Sequence, residues 1–196
     1  MQKDRIICLV GESGSGKTTI AELLEKEGYN HIESYTTRPK RFEGERGHIF
    51  VNEDKYLFHN EDNYLINMYE FKSNENEKYL QPINAIAYTF YNNNHYWATR
   101  EQYQGKGTTI YIVDVPGVEK LKEKVKDAEI VVIYLKTDIE NRFNRMMVER
   151  GFNDAIKRIE HDKINFKLIE CDYVVDANRP TEEVLGLVKE AIGGIQ

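Results

Sequence analysis

The pattern G-x-x-x-x-G-K-T at residues 11–18 constrains the fold of this chain more than any other feature. It follows residues 6–10, a wholly apolar run typical of a strand buried on both faces of a parallel sheet. From residue 18 apolar positions recur at helical spacing until Gly28, where a glycine can cap a helix. A glycine-rich turn between a strand and a helix lets backbone N–H groups surround an anion at the helix N-terminus. The context therefore predicts a phosphate-binding loop rather than an ordinary turn.

Within this loop, Lys17 is expected to reach the β- and γ-phosphates of ATP, and the Thr18 hydroxyl to bind the accompanying Mg²⁺. Asp114 is a second candidate for the Mg²⁺ shell, because it lies near the end of the apolar run 110–115 and ligands bind at the carboxyl ends of parallel strands. A helix-capping or turn role for Asp114 is an equal alternative. The expected ligands of the ATP phosphates are Gly11, Ser13, Gly14, Ser15, Gly16, Lys17, Thr18 and Thr19.

Strand and helix patterns alternate along much of the chain. Further core strands are predicted to end near residue 34 and to span residues 110–115, 130–135 and 173–175, with helices at residues 118–125, 139–148, 155–169 and 182–192. This alternation predicts an α/β fold of the P-loop NTPase type, with a parallel sheet flanked by helices. At 196 residues the chain is expected to form one domain, with its core at residues 1–35 and 108–196. Residues 36–107 interrupt the alternation and predict an inserted lobe, and the arginine-rich residues 140–160 predict a lid.

Composition limits the classes of partner. The net charge of -6 argues against general nucleic-acid binding, which needs a basic surface. No apolar run is long enough to span a bilayer, and the polar start leads directly into the first strand, so we expect a cytoplasmic protein without a signal peptide. Cys8 and Cys171 lie in apolar surroundings and are expected to be reduced thiols without a catalytic role.

A second motif lies at residues 34–41, S-Y-T-T-R-P-K-R, and is followed by Gly44 and Glu45. Arginine guanidinium groups bind phosphate oxygens as planar forks, so Arg38 and Arg41 could clamp a monophosphate. A solvated basic turn is the alternative. Together with the phosphate loop, this segment resembles the guanylate kinase family, and the resemblance extends over nearly the whole chain.

The resemblance implies an ATP-dependent nucleoside monophosphate kinase that phosphorylates GMP, dGMP or a related monophosphate. It places Ser34 near the base edge, and Glu45 in support of either the arginines or the bound nucleotide. His48 and Trp97 stand where the family has two phosphate-binding tyrosines, and Thr99 belongs to the same segment as Trp97. The family's lid arginines close over the transferring group. The implied catalytic residues are Lys17, Arg38, Arg150 and Arg158, with Arg142 stacked on adenine.

The sequence departs from the family at the positions that read guanine. The family meets the base with two carboxylates, but residues 86–88 are Ile-Ala-Tyr and the second position is Pro116. Glu70 could supply a replacement. A kinase for another base or small phosphate ester therefore remains an alternative, as does a non-catalytic binding module of the same fold, which would have no need of Lys17 and Thr18. A P-loop NTPase of another type is a weaker alternative.

Overall fold

The structure is a computed structural model that describes residues 3–51, 69–74, 77–82, 85–91, 93–166 and 169–194. Its strands are β1 (Asp4–Val10), β2 (Asn30–Ile32), β3 (Ser34–Thr36), β4 (His48–Phe50), β5 (Tyr69–Asn74), β6 (Glu77–Pro82), β7 (Ala85–Tyr91), β8 (Asn94–Thr99), β9 (Thr108–Ile112), β10 (Ala128–Lys136) and β11 (Tyr173–Asp176). Its α-helices are α1 (Lys17–Lys26), α2 (Val115–Lys124), α3 (Ile139–Arg150), α4 (Phe152–Asn165) and α5 (Thr181–Gly193).

The central sheet has five parallel strands in the order β11-β10-β1-β9-β2. Strand β1 lies in the middle, and its residues from Ile6 to Val10 are buried, as the unbroken apolar run predicts. Its side chains alternate between the two faces of the sheet. Cys8 packs in one cluster with Val118 and Leu121 of α2, whereas the cluster of Ile7 and Leu9 contains residues of α1 and α5. Helices therefore cover both faces, and the predicted α/β fold class is confirmed.

A second sheet follows β2 after one intervening residue, Glu33. Its four strands have the order β4-β3-β8-β7, with β3 parallel to β4 and antiparallel to β8. The pair β5-β6 is antiparallel. All six of these strands belong to residues 34–99, so the separate sheets begin at Ser34. An inserted lobe at residues 36–107 stays a prediction.

Helices α3 and α4 form a hairpin around Gly151, whose φ of 85° favours glycine. The hairpin has its own small core of Met146, Ala155 and Ile159, with Phe143 packed against it. The rings of Phe143 and Phe152 meet edge to face at 5.7 Å. The region predicted as a lid is thus a packed pair of helices, and Gly151 turns the chain between them.

Strand β9 and the helix α2 that follows it differ from their predicted bounds. Strand β9 ends at Ile112, not at residue 115, because Asp114 already caps α2 by accepting the Gly117 N–H at 2.9 Å. Proline at position 116 suits the first turn of a helix, where its missing N–H costs nothing. In the part of the chain that the structure describes, the helices are too short or too polar to cross a membrane.

Candidate functional site

The loop at residues 11–18 joins β1 to α1 and is tightly curved. Gly14 and Gly16 have φ values of 79° and 91°, which L side chains rarely adopt. A Cβ on Gly14 would lie 2.8 Å from the Arg142 carbonyl oxygen, and one on Gly11 would lie 2.8 Å from the Leu135 carbonyl oxygen. These two glycines are therefore required for space, since β10 and α3 approach the loop directly. The loop has the form that cradles phosphate at a helix N-terminus.

Lys17 lies within the curve of this loop. Its ammonium group donates hydrogen bonds to the carbonyl oxygens of Gly11 at 2.6 Å and Glu12 at 3.0 Å, and to the Ser15 hydroxyl at 3.3 Å. Burial lowers the pKa of Lys17 to about 8, against the carboxylates of Asp162 and Glu12, which raise it. The charges of Arg142 and Arg158 lower this pKa further. Thr18 and Thr19 are exposed in the first turn of α1.

Arg142 is buried beside the loop, with 6% of its surface exposed. Its guanidinium Nη1 lies 3.2 Å from Oδ2 of Asp162 on α4, which is also buried, and its Nη2 lies 4.0 Å from Glu12 Oε1. Asp162 in turn accepts the Ser13 backbone N–H at 2.7 Å and lies 3.4 Å from the Ser13 hydroxyl. Arg142 is thus placed to hold the loop to the helical hairpin rather than to stack on a nucleotide base. Sequence reasoning missed Asp162, since it is far from the loop in the chain.

Arg145 also contacts the loop, through Gly14 rather than Ser13. One of its guanidinium nitrogens donates to the Gly14 carbonyl at 3.2 Å and the other to the Ala177 carbonyl at 3.0 Å. A Cβ built on Gly16 would lie 3.9 Å from Arg145 Nη1. Arg145 therefore spans the phosphate loop and the turn after β11. The signal for it in the sequence was its position three residues after Arg142, which places both on neighbouring parts of one helix face.

The acceptor-side motif forms a compact arginine–carboxylate cluster. Arg38 makes two hydrogen bonds to Glu45, at 2.8 and 3.3 Å, and the side chains of both are largely buried. Glu45 also accepts the Arg41 backbone N–H at 2.7 Å and pairs with its guanidinium at 3.4 Å. The hydrogen bonds from Arg38 are the main cause that lowers the pKa of Glu45 to about 2. Glu45 therefore bonds to both arginines.

The arginines of the acceptor motif and of the hairpin share one region of positive charge. Burial lowers the pKa of Arg41, and so do the positive charges of Arg38, Arg150 and Arg158. The charge of Arg158 also lowers the pKa of Lys17. One cation of the helical hairpin therefore acts on both the phosphate loop and the acceptor motif.

Ser34 and His48 lie side by side in β3 and β4. The Ser34 hydroxyl lies 3.1 Å from the hydroxyl of Tyr111, a buried residue whose pKa is raised by burial. Burial also lowers the pKa of His48, and the charge of Arg38 adds to this. Its buried Nδ1 has no hydrogen-bond partner among the residues described. Burial and the charge of Arg38 therefore favour the neutral form of the His48 imidazole.

Trp97 and Thr99 lie on the opposite face of this sheet from Ser34 and His48. Trp97 pairs with Tyr35, and their rings stack at 5.5 Å. The Thr99 hydroxyl caps the short helix at Arg100–Gln102. Tyr96, the residue before Trp97, pairs instead with Thr36, and the Tyr96 ring lies 5.7 Å from that of His48. The aromatic residue of this segment on the His48 face is thus Tyr96, whereas a phosphate contact by Trp97 stays a prediction.

Residues 86–88, where the resemblance expects a guanine-reading carboxylate, are contacted by a lysine of α2. Lys120 donates to the Tyr88 carbonyl oxygen at 2.6 Å. Burial raises the pKa of Asp114, while its bond to Gly117 and the charge of Lys120 lower it. Lys120 therefore stands near both Asp114 and β7. The side chain of Glu70, the other candidate, lies outside the described residues.

Comparison with solved structures shows the fold of this chain. A guanylate kinase from Anaplasma phagocytophilum is similar over 100% of this chain and 88% of its own, with a TM-score of 0.62 and 21% identity. A sugar kinase from Janibacter sp. HTCC2649 covers 94% of this chain and 92% of its own, at a TM-score of 0.45 and 15% identity, and we draw nothing from it. No protein-family model matches the sequence, and no curated protein matches it. The chain has a P-loop kinase fold.

Proposed function

We propose that the protein transfers the γ-phosphoryl group of ATP to a nucleoside monophosphate, as a guanylate kinase-like phosphotransferase. One observation carries this proposal: the chain holds both a formed phosphate loop with Lys17 and an arginine pair oriented by Glu45, and the charge of Arg158 acts on Lys17 and on Arg41 alike. Phosphoryl transfer needs two phosphates held in line and positive charge around the moving group. The loop and the arginines offer groups for both requirements.

Each group of residues then has a role in the proposed transfer. The backbone N–H groups of the loop and Lys17 hold the ATP phosphates, while Arg145 lies beside them. Arg38 and Arg41, fixed by Glu45, hold the phosphate of the acceptor, with His48 and Tyr96 on the adjoining face of the sheet. Residues 36–107 are the acceptor lobe in this proposal, and residues 140–160 are the lid that excludes water.

Mg²⁺ fits this site as a partner of ATP. The described residues contain no group of three or more His, Cys, Asp and Glu side chains placed to hold a metal ion. The ion would take most of its ligands from phosphate and water, which it keeps readily. Thr18 at the start of α1 and Asp114 at the same edge of the sheet offer the hard oxygens that suit it. Asp114 caps α2 through one oxygen, so its second oxygen can serve a hydrated ion. Bound Mg²⁺ would neutralise charge on the transferring phosphate.

A different base specificity is the second candidate, and Lys120 is the observation that favours it. Guanine presents two hydrogen-bond donors on one edge and needs acceptors, whereas an ammonium group only donates. A site whose polar groups do not match a base loses the large discrimination that paired groups give. A base or phosphate ester that presents acceptors near Lys120 would fit better than guanine.

The test is an assay of ADP formation with MgATP and each ribo- and deoxynucleoside monophosphate in turn. ADP formation that depends on one acceptor supports the proposal, and Lys17→Ala should remove it. If GMP or dGMP is preferred, another group replaces the missing carboxylates. If another acceptor is preferred, the alternative specificity holds. Equal ATP turnover with and without every acceptor contradicts the kinase proposal.

A further inference from the structure

Asp162 is a buried carboxylate that the proposed transfer does not use. Only 4% of its surface is exposed, although it lies on α4 in the helical hairpin. A buried charge is costly unless hydrogen bonds and an opposite charge compensate it. Here the compensation comes from Arg142 at 3.2 Å and from the Ser13 backbone N–H at 2.7 Å. The most deeply buried acid of the hairpin is thus bonded to the phosphate loop itself.

The bond to Ser13 is one part of a brace around the first half of the loop. The Tyr134 hydroxyl of β10 donates to Glu12 Oε2 at 2.8 Å. Arg142 lies between the two carboxylates, 4.0 Å from Glu12 and 3.2 Å from Asp162. Residues 12 and 13 are therefore held from β10, α3 and α4 at once, which fixes the direction of the following N–H groups. This matters because preorganised donors need no reorganisation when an anion binds.

We propose that Asp162 is a positioning residue for the phosphates of ATP: its carboxylate holds Ser13, and with it the curve of the loop, and pairs with Arg142. The inference rests on the proposed function only in taking ATP as the ligand. It assigns a role in nucleotide binding to the helical hairpin that does not require the hairpin to touch the nucleotide.

The experiment measures ATP binding by calorimetry, and the KM for ATP and for the acceptor by kinetics, for the unaltered chain, Asp162→Asn and Asp162→Ala. Asparagine keeps an acceptor for Ser13 but removes the charge. We expect the Kd for ATP to rise about tenfold in Asp162→Asn, and more in Asp162→Ala, from the loss of a charged buried bond. The KM for ATP should rise in parallel, while the KM for the acceptor stays unchanged. Glu160→Gln is the matched control, since Glu160 is an exposed acid on the same helix, and it should change neither value.

The outcomes separate the inference from the proposed function. Failure of the unaltered chain to bind ATP would overturn both. Normal ATP binding by Asp162→Asn would overturn the inference alone. Weaker ATP binding by Asp162→Asn that is matched by an equal rise in the KM for the acceptor, together with a lowered melting temperature, would show a merely structural residue and would also overturn it. Weaker ATP binding with an unchanged KM for the acceptor supports the positioning of ATP.

Discussion

Arg38 and Glu45 form a two-point ion pair, in which the guanidinium nitrogens lie 2.8 and 3.3 Å from the two carboxylate oxygens. Glu45 also accepts the Arg41 N–H at 2.7 Å, so one carboxylate sets the positions of both arginines. The acceptor clamp is therefore built before any phosphate arrives. The cost of ordering two long side chains has been met by folding, which leaves more of the phosphate interaction for affinity.

Protonation of Glu45 should loosen this clamp. The hydrogen bonds from Arg38 lower the pKa of Glu45 from 4.5 to about 2 in the folded chain. A depressed acid contributes stability that is present above its unfolded pKa and is lost as pH falls through its folded pKa. We expect this contribution to disappear between about pH 4.5 and pH 2. Urea unfolding at several pH values measures it, and Glu45→Gln should flatten the slope in that window. An equally steep slope in Glu45→Gln would assign the pH dependence to other acids.

Lys17 should limit ATP binding at alkaline pH. Burial lowers its pKa from 10.5 to about 8, so the folded chain binds fewer protons there than the unfolded chain. By linkage, the charged form of Lys17 destabilises the folded chain at low pH. This cost fades as pH rises from about 8 to 10.5, where the unfolded chain binds more protons than the folded chain. The attraction for phosphate fades with it. The value of kcat/KM for ATP, which reports the free enzyme, should fall above about pH 8. Lys17→Arg keeps its charge, and any residual activity should lack this limb. A limb that persists in Lys17→Arg would belong to another group.

Arg158 and Arg150 should act mainly on the transfer step. The charges of both act on Arg41, and that of Arg158 acts also on Lys17. An arginine that stabilises the transferring phosphoryl group contributes about 10³-fold or more to kcat. We expect Arg158→Ala and Arg150→Ala to lower kcat on that scale, with small changes in the KM for ATP. Arg179→Ala is a suitable control, because Arg179 is exposed and pairs with Asp176 and Glu183 on the surface. A loss confined to KM would assign these arginines to ground-state binding.

The sequence identified the parts of the site that are continuous in the chain. One uninterrupted segment contains the apolar run of β1, the glycine-rich loop and α1. The strand and helix patterns on either side identify the glycine-rich turn as a phosphate loop. The bond between Ser13 and Asp162 joins residues 149 positions apart, and an aspartate late in an amphipathic helix gives no sign of its partner. The resemblance suggests that Arg142 stacks on adenine, and the sequence gives no sign that Arg142 is buried against Asp162. Local motifs thus predicted the loop, but not the groups that hold it.

Register across strands was the other limit, and Tyr96 and Trp97 give the sharpest test of it. Adjacent residues of a strand face opposite sides, so a shift of one position exchanges the two roles. Tyr96 faces His48, whereas Trp97 is 1% exposed and stacks on Tyr35. We expect Tyr96→Phe to raise the KM for the acceptor with little change in the free energy of unfolding. Trp97→Ala should instead cost about 3–5 kcal/mol of stability, as for other buried aromatic residues. Enzyme kinetics and urea unfolding on both variants measure this. A raised acceptor KM in the stable variant Trp97→Phe, with none in Tyr96→Phe, would return the phosphate contact to Trp97.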